Sequence, residues 1–307
     1  MAKDALSVKF CGVTFSSPIV LPSGIAQQIP KDHEIMIKAG IGGITTKSLT
    51  PEPREGNPIP RVAKYEHGFI NSVGLKGPGM LEGKKLIKDF LKSSSIPVIV
   101  SVFATSVKDF EKFAREFAPL NPPLFELNLS CPNVEDDMGK ALGTGCASAS
   151  AAVKAVKKIM PKTPVLAKLT PNVPNIADVA KGCEQAGADG IVAINTISPS
   201  MLIDINRKKP MLGTKHGGLS GPAAFPQALS AIYNIYEAVK IPIIGMGGVT
   251  TWQDTVQMMM AGASLVGVGS AIYFKGFGVF EEIKTGLREY MAKEKIKNLK
   301  EIVGIAH

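Results

Sequence analysis

The stretch PVLAKLTPNVPNIADVAKGCEQAGADGIVAIN, residues 164–195, reads as strand, helix, strand. Its two ends, PVLAKLT (164–170) and GIVAIN (190–195), are short, apolar and β-rich. Between them IADVAKGCEQAG (176–187) places apolar residues at helical spacing and stops at a glycine, a common helix C-terminal signal. Near-continuous apolar strands joined by helices belong to a parallel sheet covered on both faces. The unit recurs. The runs PIVLPS (18–23), GGITTK (42–47), PVIVSVF (97–103), LFELNLS (124–130), PIIGMG (242–247) and SLVGVGS (264–270) complete a set of eight strands. Helical patterns fill most gaps, among them SVKDFEKFAREFA (106–118), ASAAVKAVKKIM (149–160) and TWQDTVQMMMAG (251–262). Eight alternations predict an α/β fold, a closed (β/α)8 TIM barrel. An open doubly wound sheet is the alternative, but the turn after its first strand usually carries G-x-G-x-x-G, and PSGIAQQ (22–28) does not.

LSVKFCGVTFSS (6–17) alternates around Cys11-Gly12 and predicts an N-terminal β-hairpin at the barrel's bottom. The connections from Lys47 to Pro97 and from Asn195 to Pro242 are long loops after strands 2 and 6. Connections of that length in a compact fold are usually functional. No internal repeat or low-complexity linker divides the chain, so residues 1–307 are read as one barrel domain. Apolar residues make up 45% of the 307, enough for a single large core, and 31 glycines with 22 prolines suit many tight turns.

The same inventory excludes several function classes. No apolar run reaches the about 18 residues of a membrane span, and MAKDALSVKFCG lacks a signal-peptide pattern, so a cytoplasmic protein is expected. Cys11, Cys131, Cys146 and Cys183 form no CxxC pair and the four histidines are scattered, which predicts free thiols and no metal site. The net charge of +9 comes from dispersed lysines. Without a basic helix or an RNA-binding aromatic motif, this reads as a solvated surface rather than a nucleic-acid footprint.

Unusual polar residues gather at the C-terminal ends of the predicted strands, where barrel active sites lie. Ser23 ends strand 1, Lys47 ends strand 2 and Cys131 follows strand 4. Lys168 is late in strand 5, and Asn195 ends strand 6. Gly247-Gly248 follow strand 7 and Gly269-Ser270 follow strand 8. Glycines in the last two loops, IIGMGGVT (243–250) and VGVGSAI (266–272), let backbone N–H groups approach a phosphate, so a phosphorylated substrate or a nucleotide cofactor is expected. Lys168 sits on an apolar strand and needs an anionic partner if it points inward. Two roles stay open for it: a Schiff base, or a charge that stabilises a reduced flavin. HGFINSVGLKGPG (67–79) and HGGLSGPA (216–223), in the two long connections, offer Asn71, Gly74 and further glycines to a ligand. FELNLSCPNVEDD (125–137) ends a buried strand on a thiol. Leu124, Glu126 and Asn128 fall on one face of that strand, Phe125, Leu127 and Leu129 on the other. Cys131 is either a buried inert thiol or a general base. Asn128, Asn133 and Asn195 suit a planar polar ligand. Glu135, Asp136 and Asp137 read as a solvated lid face.

These motifs, in this order, resemble a class 1 dihydroorotate dehydrogenase. The resemblance runs from VKFCGVTFSSPIVLPSG to GVGSAIYF through NSVGLKGPG, ELNLSCPN, AKLTPNV, INT, GGLSGPA and IIGMGGV. It implies a (β/α)8 barrel carrying FMN and oxidising dihydroorotate to orotate. Cys131 would take the substrate's C5 proton while hydride leaves C6 for the flavin, and Lys168 would neutralise the reduced flavin. Lys47, Asn71, Ser72, Val73, Gly74, Leu75, Asn128, Asn133, Asn195 and Thr196 would hold substrate. FMN would be held by Ser23, Gly24, Lys47, Ser48, Ser101, Asn128, Lys168, Ile194, Gly221, Gly247, Gly248, Gly269 and Ser270. The cysteine base separates this class from the membrane-associated enzymes that use serine. KLTPNV and GLKGPG lean toward class 1B, which works with an FAD/iron–sulfur subunit and passes electrons to NAD; a homodimer is also implied. Ser101 stands where that class usually has asparagine, and NVEDDMGKALGTG departs from its usual lid. AKLTPNV also occurs in the related barrel of dihydropyrimidine dehydrogenase, which acts on uracil and thymine and would have histidine in place of Asn133. A Schiff-base aldolase and a non-catalytic binding barrel are the readings from other classes.

Overall fold

The computed structural model describes residues 5–25, 30–130 and 142–307, the side chains of 30–33 and 144 excepted. A hairpin opens the chain, β1 (Val8–Phe10) and β2 (Val13–Phe15), turning through Cys11 and Gly12 at positive φ. Eight parallel strands then close a barrel: β3 (Ile19–Leu21), β4 (Gly43–Thr45), β7 (Val98–Phe103), β8 (Leu124–Asn128), β9 (Val165–Lys168), β10 (Gly190–Ala193), β15 (Ile243–Met246) and β16 (Ala263–Gly267). Each pairs with the next in this series, and β16 closes onto β3. The barrel and the bottom hairpin are those expected from the sequence.

Local chemistry explains the surrounding helices. Val107–Phe117 begins at Ser106, whose hydroxyl accepts from the Asp109 N–H at 3.1 Å, and buries Phe110, Phe113, Ala114 and Phe117 at i, i+3, i+4 and i+7. Such a cap is worth about 1 kcal/mol. Thr251 and Asp254 form a capping box at the start of Trp252–Met260, and Asn175 caps Ile176–Gln185. Together with Cys146–Ile159 and Phe225–Ala238, these helices join the strands in one continuous apolar core. No described helix is long and apolar enough to cross a membrane.

The two long connections carry structure that the sequence reading takes as loop. The first holds β5 (Val62–Tyr65) and β6 (Gly68–Asn71). The second holds β11 (Ile197–Ser200), the small hairpin β12 (Ile203–Asp204) and β13 (Lys209–Pro210), and β14 (Gly217–Ser220). Across the barrel's end they assemble one antiparallel sheet in the order β11-β14-β6-β5, with Gly218 opposite Asn71. Ala63, Ile70 and Leu212 form its own small core.

Candidate active site

The C-terminal ends of the barrel strands and the covering sheet enclose a cavity of about 450 Å³. Every barrel strand except β7 delivers predicted residues to its lining. Ser23 and Gly24 follow β3, Lys47 and Ser48 follow β4, and Asn128 ends β8. Lys168 ends β9, Ile194, Asn195 and Thr196 follow β10, Gly247 and Gly248 follow β15, and Gly269 and Ser270 follow β16. The first long connection adds Asn71, Val73, Gly74 and Leu75.

Three predicted residues stand behind this lining. Along the extended run Phe69, Asn71 and Val73 face the cavity, so Ser72 faces away; its hydroxyl accepts from Asn57 Nδ2 at 2.8 Å. Ser101 is fully buried on β7, bonded to Ser48 and Glu126. Gly221 supports the glycine turn from outside, its carbonyl 2.8 Å from where a Cβ on Gly248 would stand. Cys131 and Asn133 lie outside the described residues, as do Glu135, Asp136 and Asp137.

Other lining residues went unnoticed in the sequence: Val62, Phe69, Leu219, Met246 and Tyr273 among them. The signal for Phe69 was present, since period-two alternation puts it on the same side as Asn71. Nothing local marked Tyr273, whose ring lies 5.5 Å from that of Phe69 at the mouth.

The electrostatics have one sign. Among the described lining residues two are lysines and none is Asp or Glu. Lys168 is 4% exposed, and its Nζ donates to the Ser23 hydroxyl at 3.0 Å with no carboxylate beside it among the described residues. A buried ammonium without a counter-charge is costly, so the site is built for an anion. Gly247 and Gly248 run at φ +128° and +79°, where a Cβ would come within 2.7 Å of Ala228 and of the Phe225 nitrogen, respectively. Only glycine allows that tight turn, and it leaves backbone close to the cavity. A volume of this size, a buried cation and a double-glycine turn fit a flavin mononucleotide. Three asparagines, Asn71, Asn128 and Asn195, suit the edge of a flat polar ring beside it.

Two of the described thiols, Cys11 and Cys183, do not compete for a role here. Burial, with a smaller contribution from Asp189 opposed by Lys157, pushes the Cys11 thiol from 9.0 up to about 12. Burial and the neighbouring Cys146 push Cys183 from 9.0 to about 12 as well. Neither forms a thiolate near neutral pH.

Comparison with known proteins follows the same lines. The family model described as dihydroorotate dehydrogenase matches residues 5–291. A Pyrococcus furiosus protein named dihydroorotate dehydrogenase B (NAD(+)), catalytic subunit, is 42% identical over 98% of this chain and 99% of its own. Proteins of the same name from Methanosarcina mazei and Methanocaldococcus jannaschii are 38% and 36% identical, covering 99% and 100% of this chain and 96% and 100% of theirs.

Proposed function

The chain belongs to the dihydroorotate dehydrogenase family, and on that premise we propose that the cavity at the barrel's C-terminal end is where it oxidises dihydroorotate to orotate, a step of pyrimidine biosynthesis, with FMN as cofactor. The observation that carries the assignment to this cavity is the convergence of buried Lys168, the Gly247-Gly248 turn and three asparagines on one volume whose described lining contains no acid.

Ser23, Gly24, Ser48, Lys168, Ile194, Gly247, Gly248, Gly269 and Ser270 hold FMN, with Gly221 supporting the turn. FMN, when bound, supplies the two-electron acceptor for the C5–C6 oxidation. Buried Lys168 would hold fixed positive charge beside the bound cofactor and so favour its reduced, anionic form, in a site with little water to screen it. Lys47, Asn71, Asn128, Asn133, Asn195 and Thr196, with Val73, Gly74 and Leu75, bind and orient the substrate ring. Cys131 takes the C5 proton as its thiolate, a positioned base worth roughly 10²–10⁴-fold in rate. The sheet β11-β14-β6-β5 keeps bulk water off the site.

The relatives are named catalytic subunits, and this chain is read likewise as the catalytic subunit of a larger enzyme. Its electrons leave through an FAD/iron–sulfur partner to NAD, and two copies pair as a homodimer in the cytoplasm. Among the described residues there is no cluster of His, Cys, Asp or Glu fit to hold a metal, so the electron-transfer centre is assigned to the partner. The purified chain should be yellow and release FMN on denaturation. Dihydroorotate should bleach it and dihydrouracil should not. Release of FAD, or bleaching by dihydrouracil instead, overturns the reading. Rapid NAD reduction by the isolated chain overturns the two-subunit part alone.

A further inference from the structure

Below the cavity floor runs a chain of buried polar side chains that ends on a carboxylate. Ser101 and Glu126 face one another across β7 and β8, 0% and 1% exposed. The Ser101 hydroxyl donates to Glu126 Oε1 at 2.7 Å, and Ser101 Oγ lies 2.9 Å from Ser48 Oγ. Ser48 Oγ accepts from Asn128 Nδ2 at 3.0 Å. Asn128 Oδ1 accepts from the Ser130 hydroxyl at 3.1 Å and from its N–H at 3.3 Å. Ser130 accepts in turn from Asn195 Nδ2, at 2.9 Å on its hydroxyl and 3.3 Å on its carbonyl. Asn195 Oδ1 accepts from the Thr196 N–H at 2.8 Å.

The inventory of donors fixes the direction of this chain. The N–H groups of Ser130 and Thr196 can only donate, so both amides turn their oxygens to them. The amide nitrogens also only donate, so the hydroxyls of Ser130 and Ser48 must pass their protons onward. Ser48 therefore donates to Ser101, Ser101 to Glu126, and every bond points the same way. Two consequences reach the cavity, which both asparagines line. Asn128 has filled its oxygen and used one amide hydrogen, so it has an N–H left to offer. Asn195 has directed both amide hydrogens at Ser130 and keeps a lone pair on its oxygen. A ring that alternates C=O and N–H meets one donor and one acceptor.

The geometry points to Glu126 as a positioning residue for substrate recognition: the terminal acceptor that, through Ser101 and Ser48, holds the Asn128 amide in place as a donor beside Asn195, whose acceptor oxygen the Thr196 N–H fixes. The inference rests on the reading that the cavity binds dihydroorotate. Without an acceptor at the end, the Ser48 and Ser101 protons have one acceptor too few. The Asn128 amide is then free to tilt away from the ring.

Calorimetric binding of orotate tests this in the flavin-loaded wild type, Ser101→Ala, Glu126→Leu and Glu126→Gln, with melting temperatures measured in parallel. Ser101→Ala and Glu126→Leu should each weaken orotate roughly five- to tenfold, the worth of about one hydrogen bond. The KM for dihydroorotate should rise more than kcat falls. Glu126→Gln keeps an acceptor oxygen and should restore affinity to within about twofold. The double variant Ser101→Ala/Glu126→Leu should bind no worse than Ser101→Ala alone, because both cut the same chain. Wild-type affinity in Ser101→Ala overturns the proposal, as do losses that add in the double variant and track melting temperature. Failure of the wild type itself to bind orotate overturns the underlying functional reading, and this inference with it.

Discussion

At the N-terminal end of the barrel, Phe10 and Phe15 of the hairpin are fully buried, edge to face at 6.3 Å. They press on Gly190 and Gly43, the first residues of β10 and β4. At the C-terminal end the side chains of Ser48, Asn128 and Lys168 are nearly as deeply buried, and they are polar. The bottom has only to be closed, so it is filled with rings set against backbone. The top must present oriented donors to a ligand, so it keeps polar groups out of water and satisfies them through each other. Cys11 at the bottom donates to the Asp189 carbonyl at 3.1 Å and is pushed up to about 12 by burial. Cys131, which follows β8 in the sequence and lies outside the described residues, is the thiol proposed to ionise and work. Substitutions at the top should therefore cost rate, and substitutions at the bottom should cost stability.

The largest expected effect is at Cys131. Cys131→Ala should slow flavin reduction by dihydroorotate roughly 10²–10⁴-fold near neutral pH, with FMN retained. The wild-type rate should rise with pH through the thiol's titration and then level off. Stopped-flow bleaching measures both, and an unchanged rate in the variant would make the thiol structural.

Lys168→Met comes next. It should reduce turnover roughly 10²-fold, the scale of a lost electrostatic stabiliser, while the melting temperature of the flavin-free protein holds or rises, because a buried ammonium is replaced by an apolar chain. A flavin-free variant that melts well below wild type would mean the top is built for stability after all.

Gly43→Ala carries the comparison to the bottom. A Cβ there would overlap the Phe15 ring. Overpacking of this kind costs roughly 1–3 kcal/mol, read as a melting temperature several degrees lower, with kcat and orotate affinity at 25 °C kept. Loss of orotate affinity without loss of stability would break the division between the ends.

The smallest effect is alkaline. Cys183 is protonated in both folded and unfolded chains below pH 9.0, and its folded value is about 12. Between those values the unfolded chain loses the proton first, so stability falls as pH rises, by about 1.4 kcal/mol per pH unit for one such group. Urea unfolding at pH 8 and pH 10 should show the decline, and Cys183→Ala should lessen it. An equal decline in the variant would assign the effect elsewhere.

Much of this architecture is legible in the sequence because it is local. The eight strands, the turn at Cys11-Gly12 and the capped helices each depend on residues within a few positions of one another. The barrel closes once they are in place, and its closure puts Ser23, Lys47, Lys168, Asn195 and Gly247 together without any of them being adjacent in the chain. That the residues form one lining follows from knowing only which end of a strand each occupies.

Other features depend on partners far away, and no local pattern announces them. β6 and β14 pair with Asn71 opposite Gly218, positions 147 residues apart in the chain.

 Pairing across such a distance closes a long loop and leaves no periodicity that a local window detects. The sequence therefore determined the barrel, its hairpin and the set of polar residues at its C-terminal end, since strand and helix periods are written within a few residues. Only the tertiary structure decided that the two long connections form one sheet over the cavity, and that Asn71 faces the cavity while Ser72 faces Asn57. It alone also set the one-way chain from Thr196 to Glu126. A side chain's hydrogen-bond direction depends on which donors and acceptors surround it, and those arrive from β4, β7, β8 and β10 only when the barrel closes.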